Sequence, residues 1–432
     1  MTSALLTDRY ELTMIDAAIG SGVHERECVF EVFARRLPEG RRYGIVAGTG
    51  RLLELIREFR FGDAELTWLR ENNVVRSQTL DWLANYSFGG SISGYREGEV
   101  YFPGSPMLVV QGGFAEAVIL ETLALSVLNY DCAVASAASR MVTAALGRPL
   151  AEMGSRRASE RAAVAAARAA YIAGFGATSN LEAGRTWGIP TMGTAAHAFT
   201  LLHNSEEAAF TAQVAALGAG TTLLVDTFDV PRAVELAVKV AGTGLGAVRI
   251  DSGDLRSQAA TVRAQLDALG ATGTKITVTN DLDEYAIATL SAAPVDSFGV
   301  GTSVVTGSGH PAAGLVYKLV ARRDDSGAWT SVAKKSAAKA TIGGRKFPVR
   351  SLASGTADSE TIYIGAAPAS SADARPLLVP LVSKGAIDEA YLGPAGTVRA
   401  REHRETAVAE LPEDALRLSK GEPAIPTTYV AL

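Results

Sequence analysis

Five short apolar segments between residues 189 and 303 each end abruptly in a cluster of small or polar residues. Each segment is short enough for a strand, and spacings of roughly 20 to 30 residues leave room for one helix between strands. This βα rhythm is typical of a parallel barrel or a wound sheet, in which the loops after the strands meet at one edge. The pattern therefore predicts that the five clusters form a common site. They begin, in chain order, at Gly193, Asp226, Asp251, Thr279 and Gly299.

The segments on either side of this rhythm indicate a second domain. A chain of 432 residues is longer than one core usually accommodates. Alternating apolar residues between glycines and prolines over 88–112 indicate short antiparallel strands, and after about residue 330 the βα rhythm gives way to strand-like pieces. We therefore predict an α/β fold, an irregular TIM-like β/α barrel with a smaller α+β domain built from both chain ends. The expected boundaries are 1–114 and 326–432 for the α+β domain and 115–325 for the barrel.

Composition narrows the functional class. Charged residues make up 20% of the chain, hydrophobic residues 47%, and the formal net charge is −5. Those values suit a globular enzyme. The sequence shows no basic stripe with interleaved aromatic residues, so nucleic-acid binding is not expected. The first residues lack the pattern of a signal peptide, and the alanine-rich segment 162–170 follows Arg161 and is interrupted by Arg168, so no membrane partner is expected. The two cysteines, Cys28 and Cys132, lie in apolar surroundings, which favours reduced thiols and a cytoplasmic protein.

His197 is the histidine best placed for chemistry, because it follows the first strand and a Gly-Thr turn. In that position a histidine is a candidate general base, metal ligand or phosphoryl acceptor. A histidine that merely begins a helix is the alternative. A zinc site is disfavoured, since the chain has neither an H-x3-H pair nor a CxxC pair.

Acidic residues follow the next two strands. Asp226 and Asp251 come first after each strand, where carboxylates hold Mg²⁺, bind a sugar hydroxyl or stabilise a developing cation. Asp229 and Asp254, three residues further on, are explained equally well as helix caps. Arg249 lies two residues before Asp251, so the two side chains face the same side of the strand. An arginine inside such a strand must either pair with an acid or face a ligand.

Two further segments are suited to phosphate. Gly154-Ser155-Arg156-Arg157 supplies guanidinium groups, which bind phosphate or carboxylate through paired contacts. The turn with Gly299, Gly301 and Thr302 offers backbone N–H groups at the place where barrels often bind phosphate. It is not a Walker A loop. The residues by themselves thus indicate an enzyme for a phosphorylated small molecule, without choosing its reaction.

Seven motifs, in order along nearly the whole chain, resemble those of the nicotinate phosphoribosyltransferases. Together they make a chance match very improbable, although each is a short string. They are 6–14 (LTDRYELTM), 30–33 (FEVF), 154–157 (GSRR), 177–180 (ATSN), 193–197 (GTAAH), 249–255 (RIDSGDL), and 299–303 (GVGTS) together with 316–318 (VYK).

The resemblance implies a reaction. It implies an ATP-dependent enzyme of the ligase class that forms nicotinate mononucleotide and pyrophosphate from nicotinate and phosphoribosyl pyrophosphate in NAD salvage. ATP is the co-substrate, Mg²⁺ the cofactor, and His197 becomes a phosphohistidine. The protein is expected to be a homodimer with shared active sites, in which Tyr10 reaches the nicotinate ring from the partner subunit.

The resemblance also implies a role for each matching residue. Catalytic roles fall to His197, Asp226 and Asp251, and the two aspartates are also the expected Mg²⁺ ligands. Nicotinate is expected at Tyr10, Ser179, Thr194 and Arg249. The ribose and phosphates are expected at Arg156, Gly299, Gly301, Thr302 and Lys335.

Two positions bear on the choice of substrate. Ser179 stands where related nicotinamide enzymes look to have an aspartate, and loss of that negative charge favours an acid over an amide. Met153 stands where other members often carry an aromatic that stacks on the pyridine ring, so half of the expected ring sandwich is missing. The alternatives are a nicotinamide phosphoribosyltransferase, a quinolinate phosphoribosyltransferase, and a non-catalytic nucleotide-binding relative.

Overall fold

The computed structural model describes residues 2–334 and 341–432, which divide into two compact units. Unit 1 comprises Met1–Ser136 and His310–Leu432, and unit 2 comprises Ala137–Gly309. The sequence had placed these boundaries after residues 114 and 325. The first predicted boundary differs from the observed one because a single long helix, Glu121–Ala144, crosses the division after Ser136. The sequence pattern of this helix shows no interruption at that point.

The amino-terminal part of unit 1 alternates helices with short strands. Helix α1 buries Leu12, Ile15 and Ile19, which recur at helical spacing along one face. In chain order the elements are α1 (Arg9–Gly20), β1 (Glu27–Ala34), β2 (Gly44–Ile45), α2 (Thr49–Arg57), α3 (Asp63–Glu71), α4 (Ser77–Ala84), β3 (Ser91–Gly94), β4 (Val100–Tyr101), β5 (Leu108–Gly113), α5 (Phe114–Val118) and α6 (Glu121–Ala144).

Unit 2 is built from alternating strands and helices. A 3₁₀ turn, Ser155–Arg157, follows its first strand. The elements are β6 (Leu150–Glu152), α7 (Glu160–Ile172), β7 (Ala177–Thr178), α8 (Leu181–Trp187), α9 (His197–Leu202), α10 (Glu206–Leu217), β8 (Thr222–Leu224), α11 (Val230–Ala241), β9 (Ala247–Ile250), α12 (Leu255–Ala268), β10 (Lys275–Val278), α13 (Glu284–Thr289), β11 (Ser297–Val300) and α14 (Thr302–Val305).

The strands of unit 2 form one parallel sheet in the order β7-β6-β11-β10-β9-β8. Thr191 adds a parallel bridge to Thr178 beyond β7. The predicted α/β class and barrel-like sheet are confirmed, as a curled parallel half-barrel. Both faces of a parallel sheet need covering, and α11 buries Val234 and Val238 while α12 buries Val262.

The carboxyl-terminal part of the chain completes the sheets of unit 1. Its elements are β12 (Leu315–Arg323), β13 (Trp329–Ser331), β14 (Lys346–Ala353), β15 (Thr356–Ile364), β16 (Ala374–Pro376), β17 (Val379–Ser383), β18 (Ala386–Ile387), α15 (Gly393–Ala409) and β19 (Thr427–Ala431). The seven-stranded sheet has the order β13-β12-β1-β5-β3-β17-β18, and the four-stranded sheet has the order β16-β14-β15-β19. Both chain ends therefore contribute to one sheet, because β1 pairs with both β5 and β12.

The helical stretch Phe114–Ala144 is long and apolar enough to cross a membrane on length and composition alone. However, 67% of its most apolar window is buried inside the protein. That burial is what a core helix of a folded domain shows.

Candidate active site

The carboxyl ends of β8, β9 and β10 bring three polar residues to one edge of the parallel sheet. Asp251 and Thr279 directly follow β9 and β10, and Asp226 comes two residues after β8. These strands are in parallel register, with Leu224 opposite Arg249 and Val278 opposite Ile250. Residues just past their ends therefore lie side by side, as the βα rhythm predicts.

His197 begins α9 and faces this edge. Its Nδ1 lies 3.1 Å from the hydroxyl oxygen of Thr227. Its Nε2 lies 3.9 Å from Oδ1 of Asp226 and 4.0 Å from Oδ2 of Asp251. The imidazole is 40% exposed. One nitrogen is thus held by a hydroxyl, while the other is accessible beside two carboxylates, an arrangement that suits proton or phosphoryl transfer.

The carboxylate of Asp226 is oriented through only one of its oxygens. Oδ2 accepts hydrogen bonds from the backbone N–H of Asp251 (2.8 Å) and the hydroxyl of Ser252 (2.7 Å). Oδ1, which is buried, has no hydrogen-bond partner among the described residues. Buried polar atoms are normally satisfied, so this oxygen marks a place for a bound cation or donor.

The donor set near Asp226 fits a magnesium ion better than zinc. Residues 2–334 and 341–432 contain no group of three or more His, Cys, Asp and Glu side chains arranged to hold a metal. Mg²⁺ commonly takes one or two carboxylates and completes its shell with water and substrate phosphates. Asp226 Oδ1 and Asp251 Oδ2 supply that number of carboxylate oxygens.

Arg249 links three strand ends. Its Nε donates to the hydroxyl of Thr279 (3.1 Å), and its Nη1 donates to the hydroxyl of Thr194 (2.9 Å) and the carbonyl of Ala195 (3.3 Å). Its Nη2 donates to Oδ1 of Asp251 at 3.1 Å, and Thr279 donates to the same oxygen. Pairing with an acid therefore explains how this arginine is tolerated in the strand. The fourth strand end belongs to this cluster through Thr279.

The other side of the sheet edge is shaped by glycine. A Cβ added at Gly299 would lie 2.6 Å from Cγ2 of Thr279 and 2.7 Å from Sδ of Met153, so the position has no room for a side chain. The N–H of Met153 donates to the carbonyl of Val300 (2.7 Å), which ties the end of β6 to β11. Gly301 and Thr302 follow at once, and Thr302 begins α14.

Ser179 and Arg156 lie at the ends of the neighbouring strands β7 and β6. Both are exposed. The N–H of Ser179 donates to the carbonyl of Glu152 (2.8 Å), and the amide of Asn180 donates to the hydroxyl of Ser155 (3.0 Å). The structure thus brings these two predicted residues to the same edge as the glycine turn.

One predicted residue, Tyr10, belongs to the other unit. Tyr10 lies on α1 of unit 1, where it is 46% exposed. Burial, together with the nearby carboxylates Glu121 and Glu11, raises its pKa to about 12. Lys335 lies outside the described residues.

Sequence reasoning overlooked two hydroxyls and one buried acid. Thr227 and Ser252 each follow an aspartate directly, and that adjacency was the available signal. The sequence around Glu152 carried no such signal, because this residue is a single glutamate at the end of an apolar strand. Asp229 and Asp254 act as helix caps, accepting from the backbone N–H groups of Arg232 (2.9 Å) and Ser257 (3.4 Å), respectively.

Comparison with protein families and curated proteins gives consistent matches. A family model described as the nicotinate phosphoribosyltransferase (NAPRTase) N-terminal domain matches residues 5–129. The nicotinate phosphoribosyltransferase pncB1 of Mycobacterium tuberculosis is 55% identical over 438 residues, covering 99% of this chain and 95% of that protein. The nicotinate phosphoribosyltransferase of Bacillus subtilis is 37% identical, covering 84% of this chain and 76% of that protein.

Solved structures match over the same extent. The crystal structure of human nicotinic acid phosphoribosyltransferase superimposes with a TM-score of 0.82 at 25% identity and covers 99% of this chain and 97% of the human one. Nicotinate-nucleotide pyrophosphorylase from Pyrococcus furiosus gives a TM-score of 0.74 at 23% identity, covering 94% and 95%, respectively. The second match concerns the fold alone.

Proposed function

We propose, because this chain belongs to the nicotinate phosphoribosyltransferase family, that it forms nicotinate mononucleotide and pyrophosphate from nicotinate and phosphoribosyl pyrophosphate. We further propose that ATP hydrolysis drives the reaction through phosphorylation of His197. The observation that carries the second proposal is the imidazole of His197 beside the carboxylates of Asp226 and Asp251.

In the phosphorylation step, Nε2 of His197 attacks the terminal phosphorus of ATP. An N–P bond forms, the bond between that phosphorus and the bridging oxygen breaks, and ADP leaves. The step requires a lone pair on Nε2, which is available when the proton sits on Nδ1 and is donated to Thr227. Water later hydrolyses the phosphohistidine and releases phosphate.

In the glycosyl step, the ring nitrogen of nicotinate attacks the anomeric carbon as the bond from that carbon to pyrophosphate breaks. The transition state carries positive charge on the ribose, which the carboxylate of Asp251 stabilises. Arg249, already held by Thr194 and Thr279, presents a guanidinium group to the nicotinate carboxylate. Holding both reactants at one sheet edge lowers the entropic part of the barrier.

Magnesium fits Oδ1 of Asp226, which no described residue hydrogen-bonds, and the neighbouring Oδ2 of Asp251. When bound, it supplies neutralisation of the charge on the phosphate groups. The chain's own contribution is to hold the two carboxylates in place. The backbone N–H of Asp251 and the hydroxyl of Ser252 hold the carboxylate of Asp226, and Arg249 and Thr279 hold that of Asp251.

Nicotinate is favoured over nicotinamide because Ser179 places no negative charge at the end of β7. A carboxylate at that position would repel the carboxylate of nicotinate and accept a hydrogen bond from the amide of nicotinamide. The wild-type protein is to be assayed with nicotinate, nicotinamide and quinolinate, each with phosphoribosyl pyrophosphate and with or without ATP. Nicotinamide mononucleotide as the main product would contradict the choice of substrate.

The role of His197 is tested with His197→Ala and the matched variant His203→Ala. His203 lies at the other end of α9, where Nδ1 is 2.8 Å from the carbonyl of Phe199. We expect His197→Ala to abolish ATP hydrolysis coupled to product formation, and His203→Ala to retain it. Full ATP-coupled turnover by His197→Ala would exclude the phosphohistidine.

We propose that the enzyme is a homodimer in which Tyr10 of one subunit serves the site of the other. The exposed position of Tyr10 on α1 is compatible with contact to a second chain. Tyr10→Ala and His197→Ala proteins are to be unfolded, mixed and refolded together. Restored activity in the mixture supports shared sites, because one of the mixed sites is then intact, whereas no recovery in a proven mixed dimer contradicts them.

A further inference from the structure

The end of β6 carries a buried carboxylate that the reaction described above does not use. Glu152 is fully buried. Its Oε1 accepts a hydrogen bond from the N–H of Gly154, and its Oε2 accepts one from the hydroxyl of Thr178 at 2.5 Å. Burial raises the pKa of this carboxyl group, although both hydrogen bonds favour its charged form.

Thr178 connects Glu152 to the residues after β7. Its hydroxyl oxygen accepts from the N–H of Asn180 (3.0 Å). Asn180 in turn caps α8 by accepting from the N–H of Ala183 (2.9 Å), and its amide donates to the hydroxyl of Ser155 (3.0 Å). Ser155 opens the 3₁₀ turn that contains Arg156, directly after Gly154. The hydrogen bonds therefore close a ring.

We call this ring the β6–β7 brace; its members are Glu152, Gly154, Ser155, Thr178 and Asn180. Two residues with proposed substrate contacts sit within it. Arg156 follows Ser155, and Ser179 lies between Thr178 and Asn180 with its N–H bonded to the carbonyl of Glu152 (2.8 Å). The brace thus sets the spacing between the predicted nicotinate-selecting serine and the predicted phosphate-binding arginine.

The brace also meets the glycine turn after β11. A Cβ at Gly154 would collide with the side chain of Val305 and approach the carbonyl of Gly301 to 2.8 Å. The turn after β6 and the turn after β11 are therefore in direct contact. A shift of the brace would be transmitted to the backbone that is expected to hold the ribosyl phosphate.

A purely structural role does not explain why this brace is built on a carboxylate. Burying a charge is costly unless a cation compensates it. The described residues place no lysine, arginine or histidine in ion-pair contact with Glu152, and among them only one N–H group and one hydroxyl donate to its carboxylate. Such uncompensated groups are retained where a site has to be held in a fixed geometry.

We propose that Glu152 is a positioning residue that holds Ser179 and Arg156 in register and thereby sets the preference for a pyridine acid over its amide. This inference rests on the proposed function. It assigns Glu152 no contact with substrate. Its effect should therefore appear in the Michaelis constant and in substrate selectivity rather than in the chemical step.

The test removes two hydrogen bonds of the brace with little change in side-chain volume. In Thr178→Val the donor to Glu152 and the acceptor for Asn180 are both lost, and Thr178→Ser retains them. We expect Thr178→Val to raise the KM for nicotinate about tenfold and to lower the ratio of kcat/KM for nicotinate to that for nicotinamide by a similar factor. The kcat should stay within about threefold, and Thr178→Ser should resemble the wild type.

Glu152→Gln provides a second variant should Thr178→Val fail to fold, since glutamine has nearly the same shape and keeps one acceptor. We expect the same direction of change. Unchanged KM and selectivity in a folded variant, or a fall in kcat with an unchanged selectivity ratio, would overturn the proposal.

The matched control is Thr274→Val. Thr274 is also fully buried, and its hydroxyl donates a single hydrogen bond to the carbonyl of Leu245 (2.9 Å) at the opposite end of the sheet, before β10. It should lose stability without a change in selectivity. A selectivity change of the same size in Thr274→Val would show that the change in Thr178→Val comes from general destabilisation, and it would overturn the inference.

Hydrogen exchange tests the brace independently of turnover. In the substrate-free protein, amides of residues 153–157 and 178–181 should exchange faster in Thr178→Val than in Thr274→Val. Equal exchange would show that the brace does not hold these turns. A wild-type protein without nicotinate turnover would instead refute the proposed function, while the exchange result would still decide whether Glu152 positions the turns.

Discussion

The sheet edge of unit 2 and a buried charge cluster of unit 1 use the same residue types in opposite ways. We call the latter the Arg350 network; it consists of Glu99, Arg350, Glu360, Arg375 and His403. His403 Nε2 lies 2.9 Å from Oε2 of Glu99, whereas His197 Nε2 lies 3.9 and 4.0 Å from its two carboxylates. His403 is therefore hydrogen-bonded to its carboxylate, whereas His197 lies beside two carboxylates at distances too long for a hydrogen bond.

The two regions also differ in how completely their acids are paired. In the Arg350 network, Arg350 is fully buried and donates to Glu99 at 2.7 Å and to Glu360 at 2.6 Å. Every oxygen of these two carboxylates has a partner, with Tyr95 donating to the remaining oxygen of Glu360. At the sheet edge, Oδ1 of Asp226 is buried and has no hydrogen-bond partner within residues 2–334 and 341–432. Full pairing of both acids is typical of a structural network, whereas the open oxygen of Asp226, which lies beside an exposed histidine, fits a place for a ligand.

The largest expected effect is the loss of stability in Arg350→Met. Removing the guanidinium leaves Glu99 and Glu360 buried with less compensation, which should cost about 3–5 kcal/mol of unfolding free energy. Urea unfolding measures this change. Arg96→Met is the matched control, since Arg96 is exposed in the same unit and should change stability by no more than about 0.5 kcal/mol. Equal effects of both variants would remove the contrast between the two regions.

At the sheet edge the corresponding change should affect catalysis instead. Asp226→Asn retains an acceptor for the N–H of Asp251 but loses the charge beside His197. We expect kcat/KM to fall about 100-fold, with a change of less than about 1 kcal/mol in unfolding free energy.

The control for Asp226→Asn is Asp229→Asn. Asp229 caps α11, and asparagine caps a helix equally well, so both activity and stability should remain near wild type. Severe unfolding of Asp226→Asn would show that Asp226 is a structural acid like Glu99.

The part of the site that sequence predicted depends on local order along the chain. Parallel strands share one direction, so the residues that end β8, β9 and β10 had to meet once the βα rhythm was recognised. This is why Asp226, Asp251 and Thr279 were grouped together without a structure. The extent of the barrel-like unit was less predictable, because α6 shows no change of pattern where the two units divide.

Glu152 could not be predicted from sequence for a different reason. Its partner Thr178 is 26 residues away, and the two meet only because β6 and β7 pair with Glu152 opposite Thr178. A single glutamate at the end of an apolar strand carries no such information. Similarly, the Arg350 network joins β14 and β15 to Glu99, which lies far earlier in the chain. No local sequence pattern indicates these pairings.

Acidification should reveal the Arg350 network through a smaller effect. Burial alone would raise the pKa of Glu99, but hydrogen bonds from His403, Arg350 and Arg375 outweigh it and hold that pKa well below its usual range. A carboxyl group with a lowered pKa in the folded state stabilises the protein above its unfolded pKa of about 4.3. That stability is lost as the pH falls below this value.

We therefore expect the unfolding free energy of the wild type to decrease with falling pH below about 4.3. In His403→Ala, which removes one donor to Glu99, the decrease should be shallower by on the order of 0.5 kcal/mol per pH unit. His203→Ala, which alters a histidine whose Nδ1 is hydrogen-bonded to the carbonyl of Phe199, should keep the wild-type slope. Parallel slopes in all three proteins would show that Glu99 is not the acid responsible.

The smallest effect is expected for Ser179→Ala. The described residues give the Ser179 side chain no hydrogen-bond partner, and only its backbone N–H is bonded, to Glu152. The brace acts on the backbone at the end of β7, which alanine leaves in place, and the serine side chain has only to carry no charge, so the KM for nicotinate should stay within about threefold of wild type. Ser179→Asp should raise that KM by at least tenfold, because it places a like charge beside the substrate. A large increase of the KM for nicotinate in Ser179→Ala would instead identify the Ser179 hydroxyl as a direct contact of nicotinate. The end of β7 would then resemble Asp226, with a polar group left open for the substrate.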